Sequence, residues 1–144
     1  MDLLELAKAH IESENRHDLA LTMSTIAAGG AYYNIHATGE VFTAPQAISD
    51  FYGASYAAIP DMHIDITNAI VDDARRQVFV EYTLTGINKG SLSGLAPTGK
   101  RVFYEGAILY AFDEAGKLTK EVSYFDKTDV LTSIGVVVAL VGVL

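Results

Sequence analysis

The chain has 144 residues, 50% of them hydrophobic and 19% charged, a size and balance that suit one soluble domain with a core of its own. Its formal charge of −8 opposes nucleic acid and anionic membrane surfaces, which both recruit lysine and arginine. Cysteine is absent, so disulfides and thiolate chemistry are excluded.

The acidic start Met1-Asp2-Leu3-Leu4-Glu5 does not read as a signal peptide, and a cytoplasmic location is expected. Asp2 is placed to cap a helix on which Leu3, Leu6, Ala7, His10, Ile11 and Glu14 recur at helical spacing. A second short helix begins at Asp18, carries Leu19, Leu21, Met23 and Ile26, and breaks at Gly29-Gly30. Residues 31–42 suggest short strands around Thr38-Gly39. Thr43 followed by Pro45 predicts the next helix, with the threonine hydroxyl as cap. Ile48, Phe51, Tyr52 and Tyr56 face inward on it, and it stops before Pro60.

Beyond Pro60 the apolar period becomes two. Met62 to Val71, Val78 to Asn88, Arg101 to Phe112 and Leu118 to Phe125 read as four strands of a meander. The first pair turns at Asp72-Asp73-Ala74-Arg75, and residues 94–99 make a longer connection between the middle pair. Glu114-Ala115-Gly116 suits a three-residue hairpin loop with its glycine left-handed. Helices first and antiparallel strands afterwards give an α+β fold with helices on one face of the sheet. Val136 to Leu144 is almost purely aliphatic but shorter than the roughly 20 residues that span a bilayer. It is expected to pack on its own domain or across an oligomer interface.

Four segments carry a family likeness. Thr85-Gly86-Ile87-Asn88-Lys89-Gly90, the run from Gly94 to Arg101, the run from Phe112 to Leu118, and Tyr124-Phe125-Asp126 follow one another in order and spacing. Together with Tyr32-Tyr33-Asn34, this set resembles the SnoaL-like polyketide cyclase family. The resemblance implies the cone-shaped α+β barrel of nuclear transport factor 2 and ketosteroid isomerase. A strongly bent sheet would surround a pocket for a small-molecule ligand, and two copies would form a homodimer through the sheet. That scaffold hosts isomerases, epoxide hydrolases, cyclases and non-enzymes, so activity has to be argued from the site.

The sequence has no phosphate loop, no nucleophile elbow and no histidine pair at metal-ligand spacing. Neither cofactor nor metal is therefore expected, and any chemistry would be acid–base work by single side chains. Asp126 is the leading candidate. If Asp113 pairs with Lys117 across the hairpin, a regular ladder sets Tyr104 opposite Asp126, Gly106 opposite Tyr124 and Ile108 opposite Val122. The carboxylate would then share a face with Tyr104 and Tyr124, beside the space Gly106 leaves, and apolar surroundings would raise its pKa. The competing reading makes Asp126 the cap of a last helix. A slip of one residue would bring Glu105, Ala107, Ser123 and Phe125 to that face instead. Glu105 and Glu81 read as solvated.

Alignment with the family's cyclases sets Gly106 and Ile108 where those enzymes carry glutamine and histidine, and Ser123 where they carry the catalytic aspartate. Neither Ile108 nor Ser123 is an acid or base near neutral pH, so their aldol mechanism is not expected here. Asn34 corresponds to a pocket asparagine that orients a carbonyl. His36, close after Tyr33 and Asn34, is a second candidate base or a partner for Asp126. His10 and His17 read as structural. The expected catalytic pair is thus Asp126 and His36, with Asn34, Tyr33, Tyr104, Gly106, Ile108, Ser123 and Tyr124 touching a small apolar oxygenated substrate. The alternative is a non-catalytic binding domain for a hydrophobic metabolite.

Overall fold

In a computed structural model, which describes residues 1–137 and 139, ten elements follow the order read from the sequence. They are α1 (Leu3–Asn15), α2 (Leu19–Ser24), β1 (Tyr32–Ile35), β2 (Glu40–Phe42), α3 (Pro45–Ala58), β3 (His63–Asp72), β4 (Gln77–Ile87), β5 (Arg101–Phe112), β6 (Leu118–Phe125) and α4 (Lys127–Ser133). Asp2 and Asp18 cap the first two helices, accepting from Leu4 N and Glu5 N and from Leu21 N respectively. The third helix differs from expectation. Ala44 stands at its N-cap without a side-chain bond, and Pro45 takes the first helical position. There the missing N–H costs nothing and the fixed φ suits the helix, so the helix starts without the Thr43 hydroxyl.

The strands form one curved mixed sheet in the order β2-β1-β6-β5-β4-β3, with helices packed on it. Strands β3 to β6 are the expected antiparallel meander. β1 lies parallel to β6, which places the first strand pair beside the last strand. Four rows of inward side chains cross the sheet and position the site. They are Ile64–Leu84–Tyr104, Ile66–Tyr82–Gly106–Phe125, Val80–Ile108–Ser123–Ile35 and Val78–Tyr110–Glu121–Tyr33–Phe42.

The pairing of β5 with β6 corrects the expected register. Asp113 N does donate to Lys117 O, and Gly116 sits at φ 76°. Phe112 pairs with Leu118, but Ala111 then pairs with Lys120, and Thr119 is left over as a bulge. One extra residue inverts the alternation of everything that follows. Gly106 therefore faces Phe125 and Ile108 faces Ser123. Tyr104, Gly106 and Ile108 share their face with Glu121, Ser123 and Phe125, and not with Tyr124 and Asp126.

No helix among the described residues is long and apolar enough to cross a membrane. Val136 is half-buried against the core; the rest of the packing expected of Val136 to Leu144 falls largely outside the described residues. The connection from β4 to β5 is held at its root by Asn88, which is fully buried. Its amide donates to Gly90 O at 2.8 Å, and its Oδ1 accepts from Thr98 N at 2.8 Å and Thr98 Oγ1 at 3.1 Å. Replacing Asn88 by Ala leaves those groups short of partners. Thermal unfolding should show a loss of about 1–3 kcal/mol, with the far-ultraviolet dichroism of the folded state unchanged.

Candidate functional site

A cavity of about 600 Å³ opens between α3, the inner sheet face, the start of α4 and residues 91–93. Its walls are largely apolar, with Phe42, Phe51, Leu84, Ile108 and Phe125 among them. Glu40, Asp50 and Lys127 also line it, and all three are exposed. Tyr82, Tyr104 and Ser123 supply hydroxyls along the sheet, while Glu14, Tyr52 and Glu121 bring in a buried polar cluster.

That cluster is centred on His10 of α1, which has no exposed surface. Its Nδ1 lies 2.6 Å from Thr25 Oγ1. The threonine hydroxyl donates to Thr22 O, so it accepts from Nδ1–H. On the other side, Nε2 lies 3.0 Å from Tyr52 Oη, 3.2 Å from Glu14 Oε1 and 3.4 Å from Glu121 Oε2. Tyr52 donates to Glu121 Oε2 at 3.1 Å, and its oxygen is left to accept from Tyr33 Oη at 2.9 Å. Both ring nitrogens thus face acceptors, as an imidazolium requires.

The electrostatics agree with this geometry. Burial by itself would lower the His10 pKa, but the carboxylates of Glu121 and Glu14 outweigh it and hold the ring up at about 9. Burial pushes the Glu14 carboxyl above the ordinary carboxylate range, and His10 offsets only part of that. Burial likewise raises the phenols of Tyr33, Tyr52, Tyr104 and Tyr110 well above their usual value. They remain neutral donors at physiological pH. Glu14 Oε1 and Tyr110 Oη are buried without a hydrogen-bond partner.

The structure divides the residues expected at the site. Tyr104, Ile108 and Ser123 line the cavity. Gly106 lies among them: a Cβ there would stand 2.6 Å from the Tyr82 hydroxyl, so glycine leaves that hydroxyl its room. Tyr33 is buried behind the lining, where it bonds Tyr52 Oη and packs on the rings of Phe42 and Phe51. Alternation along β1 turns Tyr33 and Ile35 inward and Asn34 outward, where the Asn34 amide bonds Tyr32 Oη at 3.3 Å. His36 is exposed and stacks on Tyr124 with ring centroids 4.6 Å apart. Asp126 is exposed, caps α4 by accepting from Thr128 N at 2.7 Å, and lies outside the cavity lining. The Thr119 bulge is the reason: it sends Tyr124 to the far face and leaves Asp126 at the strand's end. Glu81 and Glu105 are exposed, in keeping with their reading as solvated.

What the sequence reading passed over is the His10–Glu14–Glu121 group. Its signal was present in α1, where two ionisable residues four apart share the apolar stripe of Leu3, Ala7 and Ile11. Residues at that spacing meet on one helix face. Among the described residues, no group of three His, Cys, Asp or Glu side chains is arranged to hold a metal ion.

The family model described as SnoaL-like polyketide cyclase matches residues 4–134. The chain belongs to the SnoaL-like polyketide cyclase family. Solved structures agree in fold. A Jannaschia sp. CCS1 protein named as a SnoaL-like polyketide cyclase superposes with a TM-score of 0.81 at 18% identity, over 92% of this chain and 90% of that one. IdmH of Streptomyces antibioticus, named as a polyketide cyclase, gives 0.78 at 17% identity, over 94% and 100%. A Catenulispora acidiphila DSM 44928 protein with a ketosteroid isomerase-like fold, in complex with trimethylamine, gives 0.76 at 22% identity, over 92% and 94%. No curated protein matches the sequence. In this SnoaL-like chain the cavity's buried carboxyls, Glu14 and Glu121, lie on α1 and the middle of β6.

Their titration sets a pH dependence. His10 moves from 6.5 to about 9 on folding, so its stabilisation is complete below pH 6.5 and is lost as the pH rises through 9. A raised Glu14 pKa acts with the same sign, because folding favours its protonated form. The melting temperature should fall steadily between pH 6.5 and 9. In His10→Gln the decline over that window should be flatter, as differential scanning calorimetry at stepped pH would show.

Proposed function

We propose that this protein is a cytoplasmic enzyme of metal- and cofactor-free proton transfer, of the isomerase, cyclase or hydratase type, acting on a small, largely apolar, oxygenated substrate. One observation carries the reading: Glu14, a buried carboxyl with a raised pKa and one unpartnered oxygen, lines an apolar cavity. Raising its pKa makes the carboxylate a stronger base than an ordinary one, and so better suited to take a proton from carbon.

In this reading the substrate enters past Glu40, Asp50 and Lys127 with its oxygen towards Tyr82, Tyr104 and Ser123. Glu14 takes a proton from the carbon next to a carbonyl. The electron pair of the broken C–H bond moves onto the carbonyl oxygen, where the neutral phenols donate to the developing enolate. Glu14 then returns the proton at the same or another carbon. His10, paired with Glu121, holds the charge of the cluster steady throughout. Glu14→Gln should slow the exchange of α-hydrogens of small cyclic ketones in D2O by about 10²–10⁴-fold, followed by proton NMR. Asp126→Asn should leave that rate unchanged. Equal rates in wild type and Glu14→Gln would remove Glu14 from the chemistry.

A second reading, a binding domain for a hydrophobic metabolite, is favoured by Ile108 and Ser123. Both line the cavity, and neither can move a proton near neutral pH. A compound that raises the melting temperature yet undergoes no exchange or conversion would decide for it.

The proposal includes a homodimer formed through the outer sheet face, where Phe103, Tyr124 and Ile70 are exposed. Apolar groups gathered on one surface favour burial against a partner. Phe103→Glu should then elute from gel filtration at half the mass of the wild type.

A further inference from the structure

We infer that the cavity's preferred occupant is an organic ammonium ion, an apolar skeleton whose protonated amine is seated between Glu14 and Glu121. The inference rests on the proton-transfer reading of the same site and adds the class of molecule it takes.

The first argument is a count of protons with Glu14 ionised, the state in which it acts as a base. Three acceptors, Tyr52 Oη, Glu14 Oε1 and Glu121 Oε2, crowd within 3.4 Å of the single Nε2–H of His10. One N–H serves one or two acceptors well and cannot serve three. Tyr52 gives its own proton to Glu121, so the shortage falls on Glu14, whose buried Oε1 lacks a partner. Buried polar atoms in native proteins are almost always satisfied, and this one belongs to a side chain that lines the cavity, so a donor from outside the chain would serve that carboxylate. An ammonium brings up to three donors to this acceptor-rich floor. A carbonyl brings none, and a carboxylate would add another negative charge.

The second argument is the charge of the cavity as a whole. Glu14, Glu40, Asp50 and Glu121 line it, against Lys127 alone, in a chain of net charge −8. Low-dielectric walls focus such a field and raise the local concentration of cations. The third is the nature of the walls. Phe42, Phe51, Tyr52, Tyr104 and Phe125 present rings around the space, and aromatic faces attract desolvated cations through their quadrupoles.

The two polar ends of the cavity then read different groups. The acceptor-rich floor takes the ammonium, and the donor-rich hydroxyls of Tyr82, Tyr104 and Ser123 take an oxygen. An amine that also carries a carbonyl satisfies both ends, and the carbon between the two groups bears the proton that Glu14 exchanges.

Three probes with one ring system test the charge directly: 1-naphthylmethylamine, 1-naphthylmethanol and 1-naphthoate, titrated calorimetrically at neutral pH into the wild-type protein. The amine should bind at least tenfold more tightly than the alcohol, and the naphthoate should give no heat. Glu14→Gln should cut amine affinity at least tenfold and leave the alcohol where it was. Because the wild-type ranking needs no variant, a misfolded Glu14→Gln would not rescue the idea. An alcohol that binds as tightly as the amine, or a naphthoate that binds at all, overturns it. Failure here is separable from failure of the proton-transfer reading, since ketone exchange in D2O is measured without any amine present.

Discussion

Two carboxyl groups cannot lie beneath an apolar cavity without a cation, and His10 is the cation this fold supplies. An isolated buried carboxylate would protonate or pull the structure open to water. Here the ring meets Glu14 and Glu121 on one side and is anchored by Thr25 on the other. Tyr52 and Tyr33 extend the chain of hydroxyls around the second carboxylate. The arrangement ties α1, the segment after α2, α3, β1 and β6 to one another. Removing any member would strand the others, so the cluster fixes how the helices sit on the sheet as well as what the cavity offers chemically.

The cluster exists because of one surplus residue. Had β5 and β6 paired without interruption from the hairpin onwards, Lys120, Val122 and Tyr124 would face the cavity and Glu121 would face solvent. The bulge at Thr119 reverses this, and the Thr119 hydroxyl fastens it by donating to Ala111 O at 3.2 Å. A single inserted residue thus decides which of two chemistries the sheet presents.

Much of the architecture was legible in the sequence because its signals are local. Caps at Asp2 and Asp18, the proline opening α3, the switch to period two and the left-handed Gly116 each act within a few residues. The ordered glycine-bearing segments carried the family likeness. The site was less legible, because it depends on parity over a long distance. The hairpin partners Asp113 and Lys117 were read correctly, yet nothing near Thr119 marks a bulge, and the error carried forward to Tyr124 and Asp126. Asn34 and His36 failed for a related reason. Likeness to a pocket asparagine points to Asn34, and nearness along the chain to His36, whereas the pairing of β1 with β6 turns Tyr33 and Ile35 inward. His10 and Glu14 were seen on the buried stripe of α1, but a helix face alone does not say that a carboxylate from the last strand will meet them.

The cavity's buried carboxyls are gathered at one end of it, towards α1. Ser123 and Ile108, side by side across two strands, line its middle, and neither is an acid or base near neutral pH. Glu121 stands two residues before Ser123 on the same strand face, a separation of about 6–7 Å. That step along the strand sets its carboxylate beside α1, where Glu14 and His10 meet it. Parity along β6 turns Glu121 inward, and a carboxylate buried there needs a counter-charge within reach. In this chain the counter-charge comes from a helix, and a site placed between helix and sheet follows from that.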